Sequence, residues 1–181
     1  MKIGDAVKII TNLENAVCGL QGAFRLNVSM PEEPIKKWLT NWPMTLHGAQ
    51  SVSAPEVRSA FGVYVIATYP EGDVIYVGKA TPGARNDTSD RTIDHHLTGE
   101  MLVRVGRPPS VAIPGIMFHK GSLLAAPRMT ETAKSRVQKG DLTIALLMIE
   151  PWQFSSYVET YLRAAIHVHD GILPLANERI G

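Results

Sequence analysis

The chain has 181 residues, 45% of them hydrophobic and 19% charged, with a formal net charge of +1, which excludes a disordered polyelectrolyte and predicts one domain with a real core. Cys18 is the only cysteine, which excludes an intrachain disulfide and a cysteine-based zinc cluster. No apolar run approaches the ~20 residues that cross a bilayer, and Asp5 interrupts the N-terminal segment where a secretory signal would be apolar, so a cytoplasmic location is expected.

Residues 1–60 are expected to form an N-terminal, mainly helical extension. Asp5 is placed to cap a helix in which Ala6, Ile9, Ile10, Leu13 and Val17 recur at helical spacing. Ser29 is placed to cap a second, running through Pro31-Glu32-Glu33 to Ile35, Trp38, Leu39 and Trp42. Packing on the following domain, contact with substrate, or a subunit interface are the roles this predicts. Trp38 and Trp42, four apart, read as core.

The stretch from Phe61 to Gly78 predicts a β-hairpin. Val63-Tyr64-Val65-Ile66 and Val74-Ile75-Tyr76-Val77 are rich in β-branched and aromatic residues, and Tyr69-Pro70-Glu71-Gly72-Asp73 between them is turn-prone. Each run carries a tyrosine near a glycine, Gly62-Val63-Tyr64 and Tyr76-Val77-Gly78. Glycine there admits a second backbone or a ligand, or a kink.

A polar loop follows from Lys79 to Asp87, and then a short predicted helix, Arg91 to Thr98, with Ser89 or Asp90 as its cap and Gly99 as its stop. In that helix Ile93 and Leu97 share the core face, Arg91 and His95 point the opposite way, and His96 lies on the core flank. Residues 100–129 read as a large loop broken by prolines, with one short strand near 115–118. From Met101 to Gly140 seven Lys and Arg residues face a single acid, Glu131, leaving the rest of the chain net negative. A local positive field of this kind suits a polyanionic ligand, or is simply a solvated basic insertion. Thr130 to Lys139 predicts a helix ended by Gly140, and Leu142–Ile149 a buried central strand. A last helix opens at Ser156-Tyr157-Val158-Glu159, buries Val158, Leu162, Ala165 and Ile166, and stops at Asp170-Gly171. His167 and His169, two apart on that helix, diverge and are not read as zinc ligands.

The order Gly62-Val63-Tyr64, Tyr76-Val77-Gly78-Lys79, Arg91 with His95 one turn on, Glu159 on a late helix, and Pro174-x-x-Asn177 closely resembles the GIY-YIG nuclease family over residues 61–181. Histidine after the arginine, where many members have tyrosine, looks like the restriction-endonuclease branch. Arg85 rivals Arg91 as the family arginine, because the loop before Arg91 is long. The resemblance implies an α/β (α+β) domain with a small, mainly antiparallel three-stranded sheet, the hairpin plus Leu142–Ile149, flanked by helices. Its implied activity is a metal-dependent endonuclease that hydrolyses phosphodiesters of DNA. A nuclease toxin or effector acting on DNA or RNA, or an inactive nucleic-acid-binding module, are the alternatives.

The residue types suit that chemistry. One carboxylate, Glu159, holds Mg²⁺ (or Mn²⁺) while waters and a phosphate oxygen complete the octahedron. Arg91 stabilises the transition-state charge. Tyr76 or His95 takes the proton from the attacking water, Tyr64 orients it, and Lys79 binds phosphate or lowers a tyrosine pKa. Asn177 completes the family set. Arg85, Arg104, Arg107, Lys134 and Arg136 are expected to contact the nucleic acid, expected to be double-stranded DNA, with a homodimer or higher oligomer compatible with the reading. Ser156-x-x-Glu159 also matches a capping box, in which Glu159 would serve only the helix start.

Overall fold

The computed structural model describes residues 1–16, 25–29, 34, 61–82, 126–139, 141–177 and 179–180. Within them the order is α1 (Ile3–Ala16), β1 (Arg25–Ser29), β2 (Gly62–Thr68), β3 (Val74–Ala80), α2 (Glu131–Lys139), β4 (Leu142–Glu150) and α3 (Ser155–Asp170), with a single 3-10 turn at Trp152–Phe154 before α3. The strands form one antiparallel sheet in the order β1-β4-β2-β3.

The two innermost strands, β2 and β4, are almost continuously apolar because both faces of the sheet are covered. On one face Tyr64, Ile66, Leu142, Ile144 and Leu146 pack with Met129, Ala133 and Val137, the latter two at i,i+4 on α2. On the other, Val63, Val65, Val77, Ala145, Leu147 and Ile149 pack with Ile3, Ala6, Ile10 and Leu13 of α1 and with Val158, Leu162 and Ile166 of α3. The result is helices on both sides of a sheet, the α+β mixture expected.

The expected hairpin is present, with its turn over residues 69–73, Gly72 at φ 72° and a bulge between Ile66 and Ala67. Leu142–Glu150 is the central strand expected. Glycine 171, at φ 73°, caps α3 by donating its N–H to the His167 carbonyl at 2.9 Å.

The N-terminal expectation needs correction. The helix over Ile3–Ala16 forms, with Asp5 in its first turn rather than at its cap, where the charge still complements the helix dipole. Ser29, expected to cap a second helix, is the last residue of β1, in register with Leu146 of β4. The free edge of β4 offers a ladder of backbone groups, and Arg25–Ser29 satisfies it as a fourth strand beside the three expected. β1 therefore belongs to the same sheet as β2, β3 and β4, and α1 to the same core. The remainder of the expected second helix, Trp38 and Trp42 included, lies outside the described residues.

Candidate active site

Strand β3 is the outermost of the described strands on its side of the sheet, and its outer edge organises the site. Asn177 Oδ1 accepts the Val77 N–H at 2.8 Å while its Nδ2 donates to the Val77 carbonyl at 2.9 Å, so a buried side chain satisfies the backbone of Val77 as a neighbouring strand would. The Ala176 N–H also donates to the Ile75 carbonyl at 2.8 Å. Arg128, from the segment before α2, donates to the Asn177 carbonyl and clips this tail in place.

The two tyrosines approach the same edge from the hairpin. Tyr64 faces Gly78 across the β2–β3 ladder, and a Cβ at Gly78 would lie 2.5 Å from its ring and hydroxyl. Glycine is required there so that the phenol can cross β3. Gly62 has the other role expected of a glycine, because its Cβ would run into the Leu147 carbonyl of β4. Ring centroids of Tyr64 and Tyr76 are 6.1 Å apart. Burial pushes both phenols above the usual tyrosine range, Tyr64 furthest. On Tyr64 the neighbouring Tyr76 and Glu159 add to the rise; on Tyr76 the Arg163 guanidinium works against burial, Glu159 adds to it, and the hydrogen bond with Tyr64 lowers it least. Both are therefore neutral phenols at neutral pH.

Glu159 comes to this edge from the second turn of α3. Its Oε1 accepts from Arg163 Nη2 at 2.5 Å and its Oε2 lies 3.2 Å from Lys79 Nζ. Lys79 also donates to Ser156 Oγ at 3.0 Å, and Arg163 Nη2 donates to the Val77 carbonyl at 2.9 Å. Arg163 thus ties the carboxylate to the same backbone carbonyl that Asn177 holds. The capping-box alternative does not apply: α3 begins at Ser155, its cap is Phe154 with no side-chain bond, and Glu159 lies too deep in the helix to reach the first N–H groups. The signal for Arg163, an acid–arginine pair at i,i+4, was present in Glu159-Thr160-Tyr161-Leu162-Arg163, yet the sequence reading did not use it.

Of the expected site residues, Tyr64, Tyr76, Lys79, Glu159 and Asn177 come together. Arg85, Arg91, His95, Arg104 and Arg107 lie outside the described residues. Lys134 and Arg136 are described and are tied elsewhere. Lys134 pairs with Glu131 at 2.9 Å, one turn away on α2. Arg136 pairs with Glu71 in the hairpin turn at 2.5 Å and with Asp141 at 3.8 Å, at the opposite end of the hairpin from Lys79. Counting charges along the chain does not show which acid each cation meets, least of all Glu71, far from Arg136 in sequence.

For a metal, the described residues contain no group of three or more His, Cys, Asp or Glu side chains. Glu159 is the carboxylate at this edge, and a divalent ion there would take its remaining ligands from water and a phosphate oxygen, a set that suits Mg²⁺. The fit holds once Oε2 is free of Lys79. No helix among the described residues is long and apolar enough to cross a membrane. No protein-family model matches the chain, and neither the curated proteins nor the solved structures contain a significant match.

Proposed function

We propose that the chain is a metal-dependent endonuclease with a GIY-YIG-like domain, hydrolysing phosphodiester bonds of DNA. The observation that supports this reading is convergence. Tyr64 on β2, Tyr76 and Lys79 on β3, Glu159 on α3 and Asn177 in the C-terminal segment gather about β3: the tyrosine rings lie 6.1 Å apart, Lys79 pairs with Glu159, Asn177 holds the Val77 backbone, and the Glu159 charge acts on both phenols. These residues are also the described members of the set that the family resemblance names.

In this reading Lys79 binds the scissile phosphate, and Tyr64 and Tyr76 orient the attacking water through their hydroxyls. Since both phenols are neutral, the proton goes to His95, whose residue type titrates near neutrality, or to a Tyr76 activated on substrate binding. Arg91 or Arg85 stabilises the added charge of the pentacovalent phosphorus. A Mg²⁺ or Mn²⁺ ion on Glu159 supplies Lewis acidity to the phosphate and the leaving oxygen.

One observation favours a second reading, a nucleic-acid-binding module without cleavage. Both oxygens of Glu159 already carry a cation. Supercoiled plasmid incubated with purified protein and Mg²⁺, against EDTA and with RNA in parallel, separates the two. Mg²⁺-dependent nicking or linearisation, absent from Glu159→Gln, is expected. Retarded but uncut DNA would replace the nuclease by the binding module.

A further inference from the structure

Glu159 is the buried member of a triad whose other two members are cations of unequal mobility. Arg163 is 12% exposed and holds the Val77 carbonyl as well as Oε1, with longer contacts to the carbonyls of Arg179 and Ile180. It is a fixture. Lys79 is 38% exposed, and among the described residues its ammonium is held by Oε2 and by the hydroxyl of Ser156. A lysine ammonium is a compact charge on a flexible stem, readily attracted to a phosphate.

We propose that Lys79 is a releasable lock on Glu159, so that the phosphodiester backbone and the divalent cation bind with positive coupling. This rests on the metal-site reading above. With Lys79 in place the triad carries one more positive than negative charge, and each carboxylate oxygen is occupied. Mg²⁺ dehydrates reluctantly and must here compete with two resident cations for a single carboxylate. A phosphate beside Lys79 changes both terms. It draws the ammonium away from Oε2, and it brings negative charge and an oxygen ligand of its own. Linkage requires the converse, that the metal strengthens phosphate binding by the same factor. Arg163 keeps Oε1 throughout, so the carboxylate stays oriented while its other oxygen changes partner. The metal site is thereby assembled only on substrate.

Calorimetric titration of Mg²⁺ into the free protein and into its complex with a short mixed-sequence DNA duplex tests this, with Glu159→Gln titrations subtracting cation uptake by the DNA itself. Mg²⁺ is expected to bind the complex about tenfold or more tighter than the free protein, within the ordinary range of coupling. Lys79→Met should raise the affinity of the free protein for Mg²⁺ while weakening its affinity for the duplex. Ser156→Ala, which loosens Lys79 and keeps its charge, should move free-protein affinity the same way by less. Circular dichroism and thermal melts confirm that the variants fold. Equal, Glu159-dependent Mg²⁺ affinity with and without duplex, unchanged by Lys79→Met, overturns the lock and leaves the metal site standing. No Glu159-dependent uptake in either state overturns both.

Discussion

The two ends of the β2–β3 hairpin carry ion pairs of similar composition in different environments. At the turn, Arg136 meets Glu71 and Asp141, and Lys2 meets Asp73 at 2.7 Å with both partners more than half exposed. At the open end, Lys79 and Arg163 meet Glu159, whose side chain is 8% exposed. Solvated pairs contribute little, because water already satisfies their charges. Buried pairs carry a desolvation penalty that a hydrophobic replacement would avoid. Fold stability therefore gives no reason to place a carboxylate and an arginine under the edge of β3, whereas a site that must hold a charged ligand does.

The largest effect that comparison predicts is at Glu159. Glu159→Gln leaves Arg163 buried without its counter-charge, so stability should fall by about 3 kcal/mol, the lower range for breaking a buried pair, and cleavage should disappear. The double replacement Glu159→Leu with Arg163→Met removes both charges and should recover most of the stability but none of the activity. Urea unfolding and plasmid cleavage of the three proteins give the answer. A Glu159→Gln protein that cuts at the wild-type rate would sink the site assignment.

Next is Tyr76→Phe, which removes the hydroxyl hydrogen-bonded with Tyr64 and should lower cleavage by about two orders of magnitude with the fold retained. The pH behaviour of the tyrosine pair has a defined sign. Burial raises both folded-state pKa values above the unfolded value near 10.0. The folded protein therefore holds these protons more tightly. The stability they contribute is fully present below the unfolded pKa and is lost as pH rises through the higher, folded-state values. Tyrosinate absorbance of the pair should appear together with alkaline unfolding. Ionisation of both at their ordinary pKa in the folded state would contradict the burial.

A smaller effect is expected at Asn177. Asn177→Ala leaves the Val77 carbonyl with Arg163 but strands its N–H, an unsatisfied buried donor worth about 2 kcal/mol. Hydrogen exchange at the Val77 amide should accelerate beyond that of its neighbours in β3. Uniform exchange along the strand would mean that another group covers this edge.

Much of this arrangement could be read from residue types, and the remainder shows what such reading lacks. Val63–Ile66, Val74–Val77 and Leu142–Ile149 are strongly apolar and β-branched because they are buried on both faces, and that pattern is local. Gly171 stops α3 through its own backbone conformation, which is also local. Arg25–Ser29 is a strand because β4 had an edge to fill, and nothing within five residues announces that. The gathering of Tyr64, Lys79, Glu159 and Asn177 was legible through family resemblance; their spacing alone does not imply it. Arg163 was missed because it matches no motif position, although its i,i+4 relation to Glu159 was in plain view. For Lys134 and Arg136, a charge count does not show that Glu131 and Glu71 are their partners.

That last point yields the smallest predicted effect and the sharpest test of the comparison. If the turn-end pairs serve only the fold's surface, Arg136→Gln should leave plasmid cleavage unchanged and barely move the melting temperature. Its signature should instead be in acid. A hydrogen bond from its own backbone is the main influence holding Glu71 below the usual glutamate range, with Arg136 assisting. A depressed carboxylate contributes stability above its unfolded pKa and loses it as pH falls through the folded value. Arg136→Gln should therefore flatten only slightly the loss of stability on acidification, since the backbone bond remains. Lys79→Gln, at the other end of the hairpin, should by contrast lower DNA affinity and reduce the salt dependence of binding by about one phosphate contact. Cleavage and salt-titrated binding of both variants, measured side by side, decide the matter. If Arg136→Gln weakens binding as much as Lys79→Gln does, the nucleic acid must extend across the hairpin turn, and the two ends would no longer differ in role.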